Sequence, residues 1–400
     1  MNTDRIYLDN AATSFPKPPE VYEAMARYAR DLGASPGRGA YRESREAGAL
    51  LDECRSRINT LINGAASDHV VFTLNCSDAL NIAIKGIVHP KASSRHIVTT
   101  VMAHNSVLRP FNALVAGGVA EQTLVRCDPE TGLVDPGEIE RAIRVDTGLV
   151  AVEHASNVTG TLQPVGDIGR ICRARGVPLL VDAAQSVGHL PVDVVGMYID
   201  LLAMPGHKGL LGPLGTGALY IRPELAHSMR TIREGGTGSV SEHDTQPEFM
   251  PDKFEPGSHN AIGLIGLSAA LQWILDRGVD RLWDHELRLI NRALAGLSDL
   301  AATRRVKLFG PQTAENRCGV FSIRVDGLSP DKLARELESR GVLSRAGLHC
   351  APRAHALLGT AKDGGTTRLS LGPFCTLEHV DHAIQAVEAI AVETAPGLSV

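Results

Sequence analysis

The chain has 400 residues, 44% hydrophobic and 21% charged, with a mean hydropathy of −0.01; this is material for two packed cores and not the composition of a disordered or membrane-embedded chain. A formal net charge of −5 and a pI of about 6.3 offer no basic footprint for nucleic acid or an anionic membrane. The start MNTDRIYLDNAATSF lacks the basic start and apolar stretch of a secretory signal, no run of about 18 apolar residues occurs, and a cytoplasmic protein is expected.

From about residue 70 to 222, short β-rich apolar runs (VVFTL, HIVTTVM, LVAVEHA, VPLLVDA, DLLAMP, GALYIRP) alternate with helical patterns. This predicts βα units and a mainly parallel, buried sheet, whose ligands belong at the carboxyl ends of the strands. Polar residues stand at those ends: Asn75-Cys76-Ser77, His104, Asn157, Asp182 and His207-Lys208. After about residue 260 the pattern changes to long amphipathic helices, with Leu287, Ile290, Leu294 and Leu297 on one face and later Val380, Ile384, Val387 and Ala391. Between them FSIRV alternates as a strand, and Ser329-Pro330 opens a helix that Gly341 closes, which predicts a smaller α+β domain.

Lys208 follows a histidine at a strand end and precedes the glycine-rich GLLGPLGTG. A lone lysine is ordinarily a solvated surface residue, and no intact phosphate-loop or dinucleotide fingerprint accompanies it. Asp182, about one βα unit earlier, sharpens the reading. A lysine that forms a Schiff base and a carboxylate that keeps a pyridine nitrogen protonated are the pair that pyridoxal 5'-phosphate (PLP) chemistry requires. Alone, Asp182 also reads as a helix N-cap before AAQSV. The turn Asn75-Cys76-Ser77, leading into DALNIAIKG, has the small polar residues of a phosphate cup and equally those of a plain N-cap.

Seven scattered cysteines, with no CxxC pair, suggest neither a disulfide framework nor a zinc site. Six read as small buried hydrophobes. Cys350 differs, since it stands in a glycine-bearing loop beside His349 and five residues after Arg345, an electropositive setting of the kind that makes a thiol reactive.

The strings YLDNAAT (7–13), NCSDALN (75–81), MAHNS around His104, SNVTG (156–160), VDAAQSVGH (181–189), PGHKGLLGPLGTG (205–217), FEPGSHN (254–260) and RAGLHCAP (345–352) occur in one order. Together they resemble the cysteine desulfurase family, within the class V aminotransferase group of fold-type I PLP enzymes, over nearly the whole chain. RAGLHCAP looks like the short RxGxHC loop of its group II members. The resemblance implies an α/β fold-type I transferase: a large domain with a mainly parallel seven-stranded sheet (16–262), a smaller α+β C-terminal domain carrying the cysteine loop (263–400), and an N-terminal segment (1–15) packing with the latter.

Residue by residue, the likeness implies that Lys208 holds the cofactor covalently and moves the substrate proton, that Asp182 pairs with the pyridine nitrogen, and that His104 stacks on the ring. Gln185 and Asn157 would bond the ring oxygen. Ser77, the backbone at Cys76 and His207 would hold the phosphate, joined by Ser258 of a neighbouring subunit in a homodimer. Arg368 would bind the substrate carboxylate, with Asn157, Arg345 and His349 completing the substrate site. Cys350 would take sulfur from L-cysteine as a persulfide, leaving alanine, and pass it to an acceptor protein or a reductant. Two departures stand out: Pro205 replaces the serine common before His207-Lys208, and Cys76 replaces the first of two threonines, so a rearranged phosphate site is expected. A selenocysteine lyase, an aminotransferase or β-elimination lyase in which Cys350 is incidental, and a PLP-binding scaffold without turnover are the competing readings.

Overall fold

The structure is a computed structural model that describes residues 5–37, 39 and 41–394; the outer parts of the expected N-terminal segment (1–4) and C-terminal domain (395–400) lie outside the described residues. Strand β1 (Ile6–Tyr7) leads to helices α1 (Pro19–Arg27) and α2 (Arg42–Leu61). An alternating series follows: β2 (Val70–Thr73), α3 (Cys76–Ile87), β3 (His96–Thr100), α4 (Asn105–Ala116), β4 (Glu121–Val125), α5 (Pro136–Ala142), β5 (Thr147–Glu153), α6 (Val165–Arg175), β6 (Leu179–Asp182), β7 (Leu201–Pro205), β8 (Gly217–Ile221) and α7 (Pro223–Ala226).

The strands form a seven-stranded sheet in the order β2-β8-β7-β6-β5-β3-β4, in which β8 alone runs antiparallel to its neighbours. Every residue of β2, β3, β5, β6, β7 and β8 is buried, because helices cover both faces and continuous apolar runs are what a doubly covered parallel strand needs. Alternate residues supply the two cores: Val150 and Val152 of β5 face one cluster, Leu149 and Ala151 the other. Strand β4 was not among the predicted runs. Its sequence EQTLV sits at the sheet edge and is largely exposed or half-buried, so no apolar run marks it.

Helix α8 (Ala261–Arg277) packs on α1 and α2. At Gly278, whose φ of +79° suits a residue without a side chain, the chain bends by 81° into α9 (Val279–Ala302). Then follow β9 (Val306–Phe309), β10 (Val320–Val325), α10 (Pro330–Ser339), β11 (Val342–Leu343), β12 (Arg345–Gly347), α11 (Pro352–Leu357), β13 (Thr366–Ser370) and α12 (Leu377–Glu393). An antiparallel sheet, β12-β13-β10-β9, shares a separate core with α9 and α12. There Ile290, Leu294, Leu297, Val380, Val387 and Ala391 are buried, while Leu287 and Ile384 pack at the margin. Ser329 caps α10 as read from the sequence, accepting the Lys332 N–H. The N-terminal segment joins this unit: β1 pairs in parallel with β11, and Asp9 bridges to Ser370. Among the described residues no single helix is long and apolar enough to cross a membrane.

Candidate active site

At the carboxyl ends of β5, β6 and β7 a cavity opens, and Cys76, Ser77, His104, Asn157, Asp182, Gln185, His207 and Lys208 all line it. Eight of the thirteen residues singled out in the sequence thus converge by topology, each where a strand stops and its successor turns away.

Lys208 sits in the connection from β7 to β8. Its turn is closed by Leu211 N–H donating to Lys208 O (2.8 Å) and Gly212 N–H to Gly206 O (2.7 Å). A side chain on Gly209 would collide with Val187 O and the His189 ring, so the glycine lets the lysine turn pack closely. Burial lowers the Lys208 pKa, with Arg368 and Arg345 adding to the effect and Asp182 opposing it. A depressed lysine is a better proton acceptor at neutral pH.

Asp182 ends β6 and is not a helix N-cap: the residues after it form turns, and its Oδ1 accepts the Ala184 N–H (3.0 Å) and the Cys76 thiol (3.6 Å). Burial pushes the Cys76 thiol well above its ordinary range, so it is a neutral donor here. His104 is the N-cap of α4; its Nδ1 accepts from the backbone N–H of Ser106 (3.1 Å). Burial lowers its pKa, with Lys208 among the cations that assist, which favours the neutral ring.

Helix α3 begins at Cys76, and Asn75 caps it by accepting the Asp78 N–H (3.0 Å). Its first turn therefore points free N–H groups and a dipole at the cavity. Ser77 Oγ lies 2.6 Å from Ser106 Oγ. His207 is pushed down to about 4 by burial and by Lys208 and Lys17. Pro205, the last residue of β7, lines the same wall and brings no hydroxyl.

Arg368, on β13, is buried; its Nη2 pairs with Asp9 Oδ1 (2.8 Å) and its Nη1 donates to Asn157 O (3.2 Å). Arg345 stands opposite it in the β12–β13 ladder, so two guanidinium groups share one face. The cysteine loop follows directly. Cys350 is exposed and the other six cysteines are buried. His349 and Cys350 both have left-handed backbone (φ +47° and +57°), a conformation costing of order 1 kcal/mol or more for such residues. Three hydrogen bonds hold them: Asn157 Nδ2 donates to His349 O (2.6 Å), Asn105 N–H to Cys350 O (2.8 Å), and His349 Nε2 pairs with Thr366 Oγ1 (3.3 Å). His349 itself is buried and pushed to about 2, hence neutral.

Gln185 Nε2 donates to Ala11 O (2.9 Å), tying the cavity to the N-terminal segment. Ser258 is exposed and lies apart from the others, in a second cavity with Leu74, Asp78 and Asn260. Three site residues were missed in the sequence. Ser106 carried a signal in its spacing from His104, and Glu153 in being a carboxylate inside an apolar run. Asp9, the partner of Arg368, stood inside the YLDNAAT string, but nothing in the sequence joined it to the arginine.

The donors present fit PLP: an amine, a carboxylate, an imidazole and a helix N-terminus face one cavity. His207 Nδ1, in the wall of that cavity, is moreover buried without a hydrogen-bond partner among the described residues, as a polar group left for a ligand would be.

The family model for class-V aminotransferases matches residues 6–382. A probable cysteine desulfurase of Methanothermobacter thermautotrophicus is 38% identical over 391 residues, covering 97% of this chain and 95% of the relative. Among solved structures, the apo cysteine desulfurase from Thermococcus onnurineus superposes with a TM-score of 0.91 at 34% identity, covering 98% of this chain and 95% of that one. An S-sulfonic acid form of a cysteine desulfurase from Escherichia coli gives 0.85 at 26% identity, covering 98% and 96%.

Proposed function

The chain belongs to the class-V aminotransferase family, among its cysteine desulfurases, and we propose that it converts L-cysteine to L-alanine, with PLP held on Lys208 and the sulfur passing to Cys350. When bound, PLP supplies an electron sink for the pair left at the substrate Cα. Lys208, Asp182, His104, Asn157 and Gln185 would hold its ring, and Ser77, His207 and the first turn of α3 its phosphate. Ser106, whose hydroxyl touches that of Ser77, supplies the oxygen that Pro205 lacks.

Arg368, oriented by Asp9 and seconded by Arg345, receives the substrate carboxylate. Lys208 Nζ moves the Cα proton, a task its lowered pKa suits. The deprotonated Sγ of Cys350 attacks the substrate sulfur: the S–S bond forms, the Cβ–S bond breaks with its electron pair going to carbon, and the carbon takes up a proton. Alanine leaves, and Cys350 remains as a persulfide for an acceptor protein or a thiol reductant. One observation carries this reading. The loop bearing the exposed cysteine is bonded through its own backbone to the cavity rim, at Asn157 and Asn105.

A second copy of the chain would complete the phosphate site through Ser258, which is exposed in a cavity shared with the exposed Leu74; sedimentation at a dimer mass is expected, and a PLP-loaded monomer would contradict it. The decisive experiment counts alanine and sulfide from L-cysteine, with dithiothreitol, for wild type and Cys350→Ala. Equal amounts from wild type and neither from the variant are expected. Unchanged turnover in the variant would mean a different class-V reaction.

A further inference from the structure

Strand β5 ends on a carboxyl group that the reaction above leaves unused. Glu153 lines the same cavity as Lys208, is only 4% exposed, and stands in register with Asp182 on the adjacent parallel strand. Residues in register on neighbouring strands project to the same face. The cavity floor therefore carries two carboxyl groups side by side. Two buried carboxylates cannot both be charged cheaply, and one of them keeps its proton.

Their partners decide which. Asp182 has Lys208 for a neighbour and receives both the Ala184 N–H and the Cys76 thiol. Glu153 has neutral partners: Thr100 Oγ1 at 3.1 Å and Gln163 Nε2 at 3.1 Å. Gln163 is fixed in that orientation, because its Oε1 accepts the Val134 N–H (3.0 Å) and its Nε2 also donates to Gly132 O (2.9 Å). The titratable groups that bear most on Glu153 are Asp182 on β6 and Cys127 after β4, neither a cation, while Lys208, His104 and His207 line the same cavity. Burial raises Glu153 to about 7, outweighing its own backbone N–H and the Thr100 and Gln163 donors, which favour the carboxylate, and Asp182 adds to the burial effect.

We propose that Glu153 is a positioning residue for the cofactor, an uncharged acid that leaves Asp182 as the single anion of the cavity floor and adds a second negative charge beside the PLP ring when it ionises. The inference rests on the PLP reading above. It is distinct from that reading, because Glu153 is not needed for any bond to be made or broken.

Its consequences have definite signs. An ionised Glu153 stabilises a protonated, cationic cofactor, so the wild type holds the protonated form of its visible band to higher pH than Glu153→Gln does. A charge a few ångströms away at intermediate dielectric makes this a difference of about one pH unit, a tenfold change in proton affinity. Without cofactor, a carboxyl raised on folding stabilises the fold below its unfolded value near 4.5, and that stability is lost as pH rises through about 7. The Tm of the apoprotein should therefore fall between pH 5 and pH 7.5 by more in wild type than in Glu153→Gln.

The test titrates the PLP-loaded wild type and Glu153→Gln from pH 6 to pH 9 by absorption, with Tm of both apoproteins alongside. Coincident spectra at pH 6 that diverge above pH 8, with a flatter Tm profile in the variant, are expected. Spectra that already differ at pH 6 would mean that Glu153 works as an anion, and spectra that coincide throughout would mean that it does not reach the cofactor; either overturns the proposal. Failure of wild type to take up PLP would instead sink the functional reading, and the Tm arm would still decide the charge of Glu153. If Glu153→Gln does not fold, infrared difference spectra of wild type between pH 6 and pH 8 decide: loss of a carboxylic-acid C=O stretch that Thr100→Val shifts supports the proposal, and its absence refutes it.

Discussion

The floor of the cavity and the loop that carries Cys350 are built in opposite ways. On the floor, Asp182 and Glu153 are the last residues of fully buried strands and Lys208 sits in a turn pinned by backbone hydrogen bonds. The loop belongs to the smaller sheet, exposes its thiol, takes a left-handed backbone at two successive residues and meets the cavity through two carbonyl oxygens. Proton transfer at carbon needs groups fixed to within fractions of an ångström. A sulfur acceptor must also reach a second partner after the substrate has gone, and an exposed loop with few anchors suits that second errand. On the mechanism proposed above, the two regions would divide the reaction into a rigid half and a deliverable half.

Substitutions can break that division. The largest effect is expected from the floor: Lys208→Ala should lower alanine formation about 10³-fold or more and abolish the covalently held chromophore. Cys350→Ser should reduce sulfur transfer by about 10²-fold or more, while PLP affinity and exchange of the Cα proton with deuterated solvent stay near wild type. A variant that loses PLP binding as well would show that loop and floor are one unit. Arg368→Lys keeps the charge but loses the forked contact to Asp9, and should raise KM for cysteine about 10- to 100-fold with a smaller change in kcat.

The smallest effect concerns how the halves are joined. His189 Nδ1 lies 2.8 Å from Glu286 Oε2 on α9, and Glu286 Oε1 accepts the Gly319 N–H (2.9 Å). Burial alone would lower the His189 pKa, but the Glu286 carboxylate outweighs it and the net shift is upward. The ion pair therefore stabilises the fold fully below about pH 6.5, the unfolded value, and is lost as pH rises through the higher folded value. His189→Gln should flatten that alkaline loss, by about 1 °C in Tm for each 1 kcal/mol removed from a chain of this length.

Much of this was legible in the sequence because of how parallel strands are built. Each apolar run ended on a polar residue, and topology gathers strand ends, so His104, Asn157, Asp182 and Lys208 could be placed together without knowing the strand order. The same logic failed where burial and polarity did not alternate as expected. Strand β4 has no apolar run because an edge strand needs none. Glu153 was passed over because it was read as part of a run, when it was the polar residue that ended one. Asp182 was ambiguous as a cap until the turn after it was visible. The salt bridge of Arg368 was out of reach, since Asp9 lies 359 residues away and only the docking of the N-terminal segment onto β11 and the end of β13 brings it near.

That pairing sets the timing of assembly on the ribosome. At roughly 5–20 residues per second, Asp9 emerges roughly 20–70 s before the arginine it orients, and β1 is made long before β11, the strand it must join. For that interval β1 has no strand to pair with, although Ala11 and Ser14 of the same segment can already meet Gln185 and His207. On the proposed mechanism, the place for the substrate carboxylate is completed only when β13, the last strand among the described residues, has been translated.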